Sequence, residues 1–225
     1  MATVVTITTT GSGTRTVPAN TYEAIVECWG AGRGGYRHQG GDGGSYARKT
    51  ITVTPGDVLS YSIGAGSAGN NLSATSAGGD TWFVSSSTVR AKGGGSGSTN
   101  IGDVTYTGGL GGFDNSDASA YVGGGGSAHP LGNGGNASTI NPGGGSSGTR
   151  LGGPGGGDPG DSNVEGGGGG AGSYSGVGGA GGAPGGGGGG RTANGSTSNL
   201  GGAGGRGQIR ITWNDRRAPR SVFLS

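Results

Sequence analysis

The sequence predicts an all-β protein: a jelly-roll-like β-sandwich carrying an inserted bundle of packed polyglycine II helices, with no α-helix. Three observations predict it. Short runs of β-branched and aromatic residues alternate with a period of two. Glycine makes up 65 of 225 residues, unevenly placed, with 16 in residues 1–92 and 49 beyond. The residues between the later glycines recur at every third position.

The strands come first. "TVVTITTT" (3–10) is β-branched throughout. "YEAIVECWG" (22–30) sets Tyr22, Ala24, Val26 and Cys28 on one face and Glu23, Ile25, Glu27 and Trp29 on the other. "KTITV" (49–53) alternates Ile51 and Val53 with threonines, and Pro55-Gly56 centres a turn. "VLSYSI" then places Leu59, Tyr61 and Ile63 on one face, and "DTWFVS" and "TVRAK" are two further short runs. "GQIRITW" (207–213) alternates Ile209, Ile211 and Trp213 with Arg210 and Thr212. A lone strand is not stable by itself, so this last one is expected to pair with an N-terminal strand and close the sandwich.

The glycine segments obey another period. Ala171, Tyr174, Val177, Ala180 and Ala183 are spaced by three, as are Arg33, Tyr36, Gln39, Asp42 and Ser45. So are Leu200, Ala203, Arg206 and Ile209, and Thr107, Leu110 and Phe113. Three residues per turn is the polyproline II repeat, whose backbone makes no internal hydrogen bonds. Glycine in that conformation keeps a free N–H, and buried N–H groups must be paired. Such helices therefore pack side by side, with two positions per turn too close to a neighbour for a Cβ and the third facing outward. Collagen also has period three, but it needs one glycine per triplet and much proline; this chain has eight prolines. The implied division is 1–92 plus 207–213 as the sandwich, 93–206 as the glycine bundle, and 214–225 as a C-terminal tail.

Composition excludes several classes. Fourteen Lys+Arg against twelve Asp+Glu leave a charge of +2, with no basic run for nucleic acid. One cysteine builds no disulfide framework within the chain, and two histidines with one cysteine do not make a zinc constellation. No apolar run approaches the ~18 residues of a membrane-spanning helix, and "MATVVTITTTGSG" lacks the pattern of a secretory leader. Membrane insertion is not expected.

"GAGRGG" (30–35) and "GAGSAG" (64–69) fit G-x-G-x-x-G. A dinucleotide site needs a helix next, to meet the pyrophosphate with its N-terminus, and Gly-Gly-X supplies none. Cys28 shares a face with Ala24 and Val26 and reads as an inert buried thiol. His38 and His129 each lack a second ligand at metal spacing. "DNSDAS" and "GGDPGD" gather acids without the calcium-loop pattern. No catalytic residue, cofactor or metal is expected. The candidate recognition residues lie in the interruptions between glycine runs: Tyr36, His38, Tyr106, Phe113, Tyr121, His129 and Asn194. Loops on a rigid scaffold are where recognition residues collect. A second candidate is the tail, with Arg216, Arg217 and Arg220 followed by Phe223 and Leu224, which reads as a docking peptide.

The pieces "WGAG", "GGSYA", "TVTPGD", "IGAG" and "AGGDTWF", with the closing "GGRGQIRITW", resemble the glycine-rich domain of bacteriophage tail and fibre proteins. The resemblance covers 13 to about 95 and the closing strand; residues 96–200 match only in style. It implies a polyglycine-helix bundle attached to a β-sandwich, as in the glycine-rich tips of phage fibre adhesins. The expectation that follows is a non-enzymatic virion protein of a tail tip, fibre or head fibre, assembled in the host cytoplasm. Its loops would contact the host surface, polysaccharide or outer-membrane protein. The expected assembly is a homo-oligomer, a trimer by the same resemblance, with other virion proteins as partners. The alternatives are a purely architectural component and an ice-binding protein. Against the last stand Arg33, Tyr36, Gln39 and Asp42, too bulky and charged for a flat outward face.

Overall fold

The computed structural model describes residues 2–70, 75–113, 121–137, 139–140, 166–173, 176–190 and 200–215. They form strands β1 (Thr3–Ile7), β2 (Gly11–Thr16), β3 (Glu23–Trp29), β4 (Tyr46–Thr52), β5 (Val58–Ile63), β6 (Thr81–Phe83), β7 (Val89–Ala91), β8 (Val104–Tyr106), β9 (Tyr121–Val122), β10 (Thr139–Ile140) and β11 (Gln208–Asn214). No helix occurs among the described residues. The chain is all-β.

One sheet has the order β1-β11-β3-β4-β8, the other β2-β5-β6-β7, and β9 and β10 form a separate two-residue ladder. All pairings are antiparallel. The last strand, β11, lies between β1 and β3, with Ile211 opposite both Val5 and Val26. The first and last described strands are thereby held in one sheet, as the alternation in "GQIRITW" led us to expect.

The two sheets face each other across an apolar core, sandwich-like. Ala24, Val26, Cys28, Ala47, Ile51, Ile209, Ile211 and Trp213 from one meet Ile63, Phe83, Val89 and Ala91 from the other. Phe83 and Trp213 touch edge to face across it, their ring centroids 6.4 Å apart. The alternation of β3 is thus realised, but its second face is also buried at one end: Trp29 is fully covered and Glu27 is 6% exposed. The cover is a smaller cluster of Trp29, Tyr46 and Ala128, with Tyr106 stacked on Tyr46.

Four strands escape the period-two reading, among them the two-residue β9 and β10, which place Tyr121 in a ladder and not in a loop. β2, "GSGTRT", contains no large apolar residue, because it is an edge strand and mostly exposed. Its Gly13 lies opposite Tyr61, whose ring fills the place of a Cβ. β8 is three residues long at the edge beside β4, and that places Tyr106 in a sheet, not in a loop.

Cys28 sits between Ala47 and Ile209 on the ladder. Burial, then the neighbouring Glu27 carboxylate, pushes its thiol far above the ordinary 9.0. Tyr46 is pushed far above the ordinary 10.0, first by burial and then by its hydrogen bond to Glu27. Both protons are therefore held more tightly in the folded chain than in the unfolded one. Their linkage leaves stability constant below about pH 9 and lowers it as pH rises further. Denaturation midpoints between pH 7 and 11 check this; a midpoint unchanged up to pH 11 overturns it. At neutral pH we expect a thiol reagent to label Cys28 only at the unfolding rate.

Candidate recognition surface of the glycine array

Outside the sheets, the glycine segments are bonded to one another laterally, with the direction changing residue by residue and repeating every three. In 40–45, Gly40 and Gly43 donate to Gly112 and Gly109, Gly41 and Gly44 to Gly188 and Gly185, and Ser45 to Lys92. In 200–207, Gly201, Gly204 and Gly207 donate to Asn70, Ser67 and Gly64, while Gly202 and Gly205 donate to Gly189 and Gly186.

Gly185–Gly190 lies at the centre. It donates to Gly182 and Gly179, to Gly125 and Val122, and to Arg33; it accepts from Gly41 and Gly44, from Gly202 and Gly205, and from Gly170 and Ser173. These partners lie on six surrounding segments: 176–182, 122–128, 30–35, 40–45, 200–207 and 166–173. The six also bond to each other in a closed ring, through Arg33 to Asp42, Gly32 to Gly205, Gly178 to Leu200, Gly179 to Ala171, Gly124 to Gly170 and Gly125 to Gly41. Segments 30–45 and 64–70 therefore belong to the same array as 166–173, 176–190 and 200–207, although they come early in the chain.

The encirclement explains an unbroken run of six glycines. A Cβ on Gly186, Gly187, Gly188 or Gly189 would run into the carbonyl oxygen of Gly168, Gly41, Gly202 or Ala171, on three neighbouring segments, the first and last on the same one. Among the described glycines only Gly11, Gly56, Gly95 and Gly185 have positive φ. Most of the rest are required for close approach, not for a left-handed backbone, Gly97 and Gly132 being exceptions with room for a Cβ. Segments on the rim have one open direction, and there side chains appear: Val177, Ala180 and Ala183, Leu200 and Ala203, and Thr107, Leu110 and Phe113 are all exposed.

The early register behaves differently. Arg33, Tyr36, Gln39 and Asp42, expected to point outward, are all partly buried, and Ser45 is fully so. The reason is that residues 92–95 and 75 lie against this side of the hairpin. Arg33 Nε donates to the Thr75 hydroxyl (3.2 Å) and carbonyl (3.3 Å), and Arg33 Nη1 lies 3.8 Å from Asp42 Oδ2. These four residues cannot serve as the argument against a flat outward face.

The candidate recognition residues divide between two ends. Chain segments leave the array at Tyr36, Asn70, Phe113, Val122, Ser173, Gly190 and Leu200, all at the end away from the sheets, as the bonds Asn70 to Gly35, Gly201 to Asn70, Gly112 to Gly123 and Ser173 to Gly190 require. Tyr36 and His38 stand there in a tight turn closed by reciprocal Tyr36–Gln39 backbone bonds, with the Tyr36 hydroxyl donating to Gln39 Oε1 at 2.7 Å. Phe113, 49% exposed, bridges to Gln39. Tyr121 begins β9 at the same end. His129 is at the opposite end, in a turn closed on Gly132 next to the sheet cluster, and burial lowers its pKa from 6.5. Tyr106 is also at that end, packed on Tyr46. Asn194, the tail residues Arg216, Arg217, Arg220, Phe223 and Leu224, and the two acid clusters lie outside the described residues.

One feature escaped sequence reasoning altogether: a cleft of about 590 Å³ on the flank, bounded by residues 42–45, 92–96, 107–110 and 133–136. Its origin can be read from segment 40–45. A Cβ at Gly40 or Gly43 would meet Gly123 or Gly126, and one at Gly41 or Gly44 would meet Arg33 or Gly30. The third direction belongs to Asp42 and Ser45, which residues 92–95 cover, and both border the cleft left between those residues and 107–110. Asp42 Oδ1 accepts the Gly111 N–H at 3.0 Å, as a backbone carbonyl of a packed neighbour would.

Among the described residues no three His, Cys, Asp or Glu side chains come together, and no helix is long and apolar enough to cross a membrane. Both G-x-G-x-x-G stretches are array segments, bonded to neighbouring backbone and followed by no helix. No curated protein matches the sequence. The glycine-rich domain family, in contrast, matches residues 8–214, spanning the sheets and the array alike, and the chain belongs to that family.

Proposed function

We propose that the protein is a non-enzymatic structural and adhesive component of a virion, in a tail tip, fibre or head fibre, that contacts a host surface. In this reading the glycine array is a bundle of polyglycine II helices mounted on a jelly-roll-like sandwich. The three-residue alternation of bonding directions and the restriction of positive φ to four of the described glycines support the first term. The repeated crossing of the chain between sheets, at β1–β2, β2–β3, β4–β5 and β7–β8, supports the second. The observation that carries the functional reading is the gathering of segment ends at one end of a laterally bonded array. A core held by backbone bonds is indifferent to what its end loops contain, so those loops are free to vary for recognition. Tyr36, His38 and Phe113 stand at that end.

The partners in this reading are a host-surface polysaccharide or outer-membrane protein, other virion proteins, and further copies of the chain. A trimer docked through the tail is our preferred assembly. The test is binding of the purified protein to a panel of bacterial cells, before and after their surface polysaccharide is stripped, with its mass in solution measured alongside. Binding lost on stripping identifies a glycan receptor, and binding kept identifies a protein receptor. Absence of binding to every cell type rejects adhesion and leaves an architectural virion component. A monomeric mass rejects the trimer.

One observation favours a different reading, binding to ice. Ala65, Ala68, Leu200, Ala203, Val177, Ala180 and Ala183, all apolar, are exposed at third positions on three adjacent array segments. Thermal hysteresis of the purified protein tests it.

A further inference from the structure

We propose that an open position on the rim of the glycine array, between segments 133–137 and 166–173, is the docking site of residues 141–165, which cross the array there from the loop end back to the sheets.

The order of the crossings calls for such a return. Segment 122–128 runs towards the sheets, from β9 to Ala128 in the Trp29–Tyr46 cluster. Segment 133–137 runs away from them, from the His129–Gly132 turn to β10, which pairs with β9. Segment 166–173 also runs away, from Gly167, bonded to Pro184 and Ser127, to Ser173, bonded to Gly190. Segments 176–182, 185–190 and 200–207 then alternate again. Two successive crossings in one direction leave residues 141–165 a full length of the array to cover.

Backbone groups mark where. Three residues per turn, each with an N–H and a C=O, give a segment six bonding directions. In 122–128 five are filled. Gly124 and Ser127 donate to 166–173, Gly125 and Ala128 to 40–45, and Gly126 to Gly135; Val122 and Gly125 accept from 185–190, and Gly123 and Gly126 from 107–112. The sixth direction, between 133–137 and 166–173, belongs to the carbonyls of Gly124 and Ser127. Both residues are buried, and neither carbonyl has a partner among the described residues. Buried backbone groups in folded proteins are paired.

The flanking segments turn donors to the same place. Gly134 and Ala137 donate to 107–110, which leaves the Gly135 N–H on the other side. Gly167, Gly170 and Ser173 donate to 184–190, and Gly168 and Ala171 accept from 176–182, which leaves the N–H groups of Gly169 and Gly172. None of these three has a partner among the described residues. The position thus offers carbonyls from one neighbour and N–H groups from two, and an occupant must bring both donors and acceptors in a three-residue repeat.

Residues 141–165 fit that requirement. They follow β10 directly and lead directly into 166–173, the two flanks of the position. They contain "LGGPGGG" (151–157), in which Leu151, Pro154 and Gly157 stand three apart with glycine pairs between them. Proline at an outward third position forfeits no bond, because the N–H it lacks would face away from the array. A crossing like 166–173 takes about eight residues at about 3.1 Å each, so the stretch is long enough to cross and to turn at both ends.

The experiment is amide hydrogen exchange of the full chain, read residue by residue by NMR. We expect the half-buried Gly135 and Gly169 to exchange as slowly as Gly126, whose N–H is bonded within the array. A double variant, Gly152→Ser with Gly155→Ser, keeps the length of the stretch but sets Cβ atoms against its neighbours. It should speed exchange at Gly135 and Gly169 at least tenfold while Gly43 and Gly187 stay protected. Leu151→Ser, at an outward position, should change none of the four. Exchange of Gly135 and Gly169 in the parent at the rate of an unstructured glycine overturns the proposal, and so does protection indifferent to the double variant. Protection that disappears on dilution to a monomeric mass would assign the position to a second copy of the chain, and would overturn it equally.

Discussion

Replacing Gly188 by valine is expected to lower stability by about 3–5 kcal/mol, the largest effect of any single substitution in the array. Gly188 N–H donates to Arg33 and its carbonyl accepts from Gly41, and a Cβ on it would run into the Gly202 carbonyl. Overpacking costs about 1–3 kcal/mol where neighbours can yield. Here the obstacle is a backbone carbonyl in a segment itself bonded on several sides, so the relief must come from breaking lateral bonds, at about 1 kcal/mol each. Val177→Gly is the control, because Val177 is 61% exposed on a rim segment; its cost is expected within about 0.5 kcal/mol. Urea denaturation of the two variants beside the parent checks both values. A Gly188→Val protein within 1 kcal/mol of the parent would mean that the array does not pack as described.

Glu27→Ala is expected to cost about 3 kcal/mol, and most of that loss should vanish when Arg210 is removed as well. Glu27 lies on the second face of β3, opposite Arg210 of β11. Arg210 grips it with two bonds, Nε to Oε2 at 2.7 Å and Nη2 to Oε1 at 2.9 Å. The Tyr46 hydroxyl donates to the same Oε1 at 2.7 Å, and the Arg210 guanidinium lies 5.5 Å from the centre of the Trp29 ring. Deleting one partner of a buried ion pair costs about 3–5 kcal/mol, because the remaining charge is stranded. Replacing both by apolar groups is often neutral. The Arg210 side chain is 26% exposed, so water screens part of the loss and the lower end of the range applies. The check is a double-mutant cycle of Glu27→Leu and Arg210→Leu, with an expected coupling of about 2 kcal/mol. Strict additivity would show that the carboxylate and guanidinium act independently.

The strands that carry the core were legible because burial on one face writes itself into alternate residues. Ala24-Val26-Cys28 and Ile209-Ile211-Trp213 announce β3 and β11, and the second of these also implies a partner strand. β2 and β8 were not legible: an edge strand with little burial needs no apolar alternation, and "GSGTRT" has none. Within the glycine segments, the exposed third positions at Val177, Ala180 and Ala183, and at Thr107, Leu110 and Phe113, could likewise be read directly. Local periodicity reports how a segment meets its surroundings, and on these rim segments one direction in three meets solvent.

The sequence by itself determined that the described chain is all-β, where its main strands lie, and that the glycine segments keep a three-residue register. The neighbours of each segment were decided only by the tertiary structure. Six glycines in a row at 185–190 state that no direction is free, but not that six segments from distant parts of the chain surround them. Arg33 and Asp42 sit at regular third positions and are nevertheless partly buried, because residues 75 and 92–95 close over them. The cleft lies beside that closure: Asp42 and Ser45 border it, where residues 92–96 stand apart from 107–110. Such a gap exists only once residues 92–96, 107–110 and 133–136 have been brought around it. A backbone N–H is the same at every residue and carries no sequence signature of its partner, so lateral bonding among glycines specifies that segments pack while leaving their order to the rest of the fold.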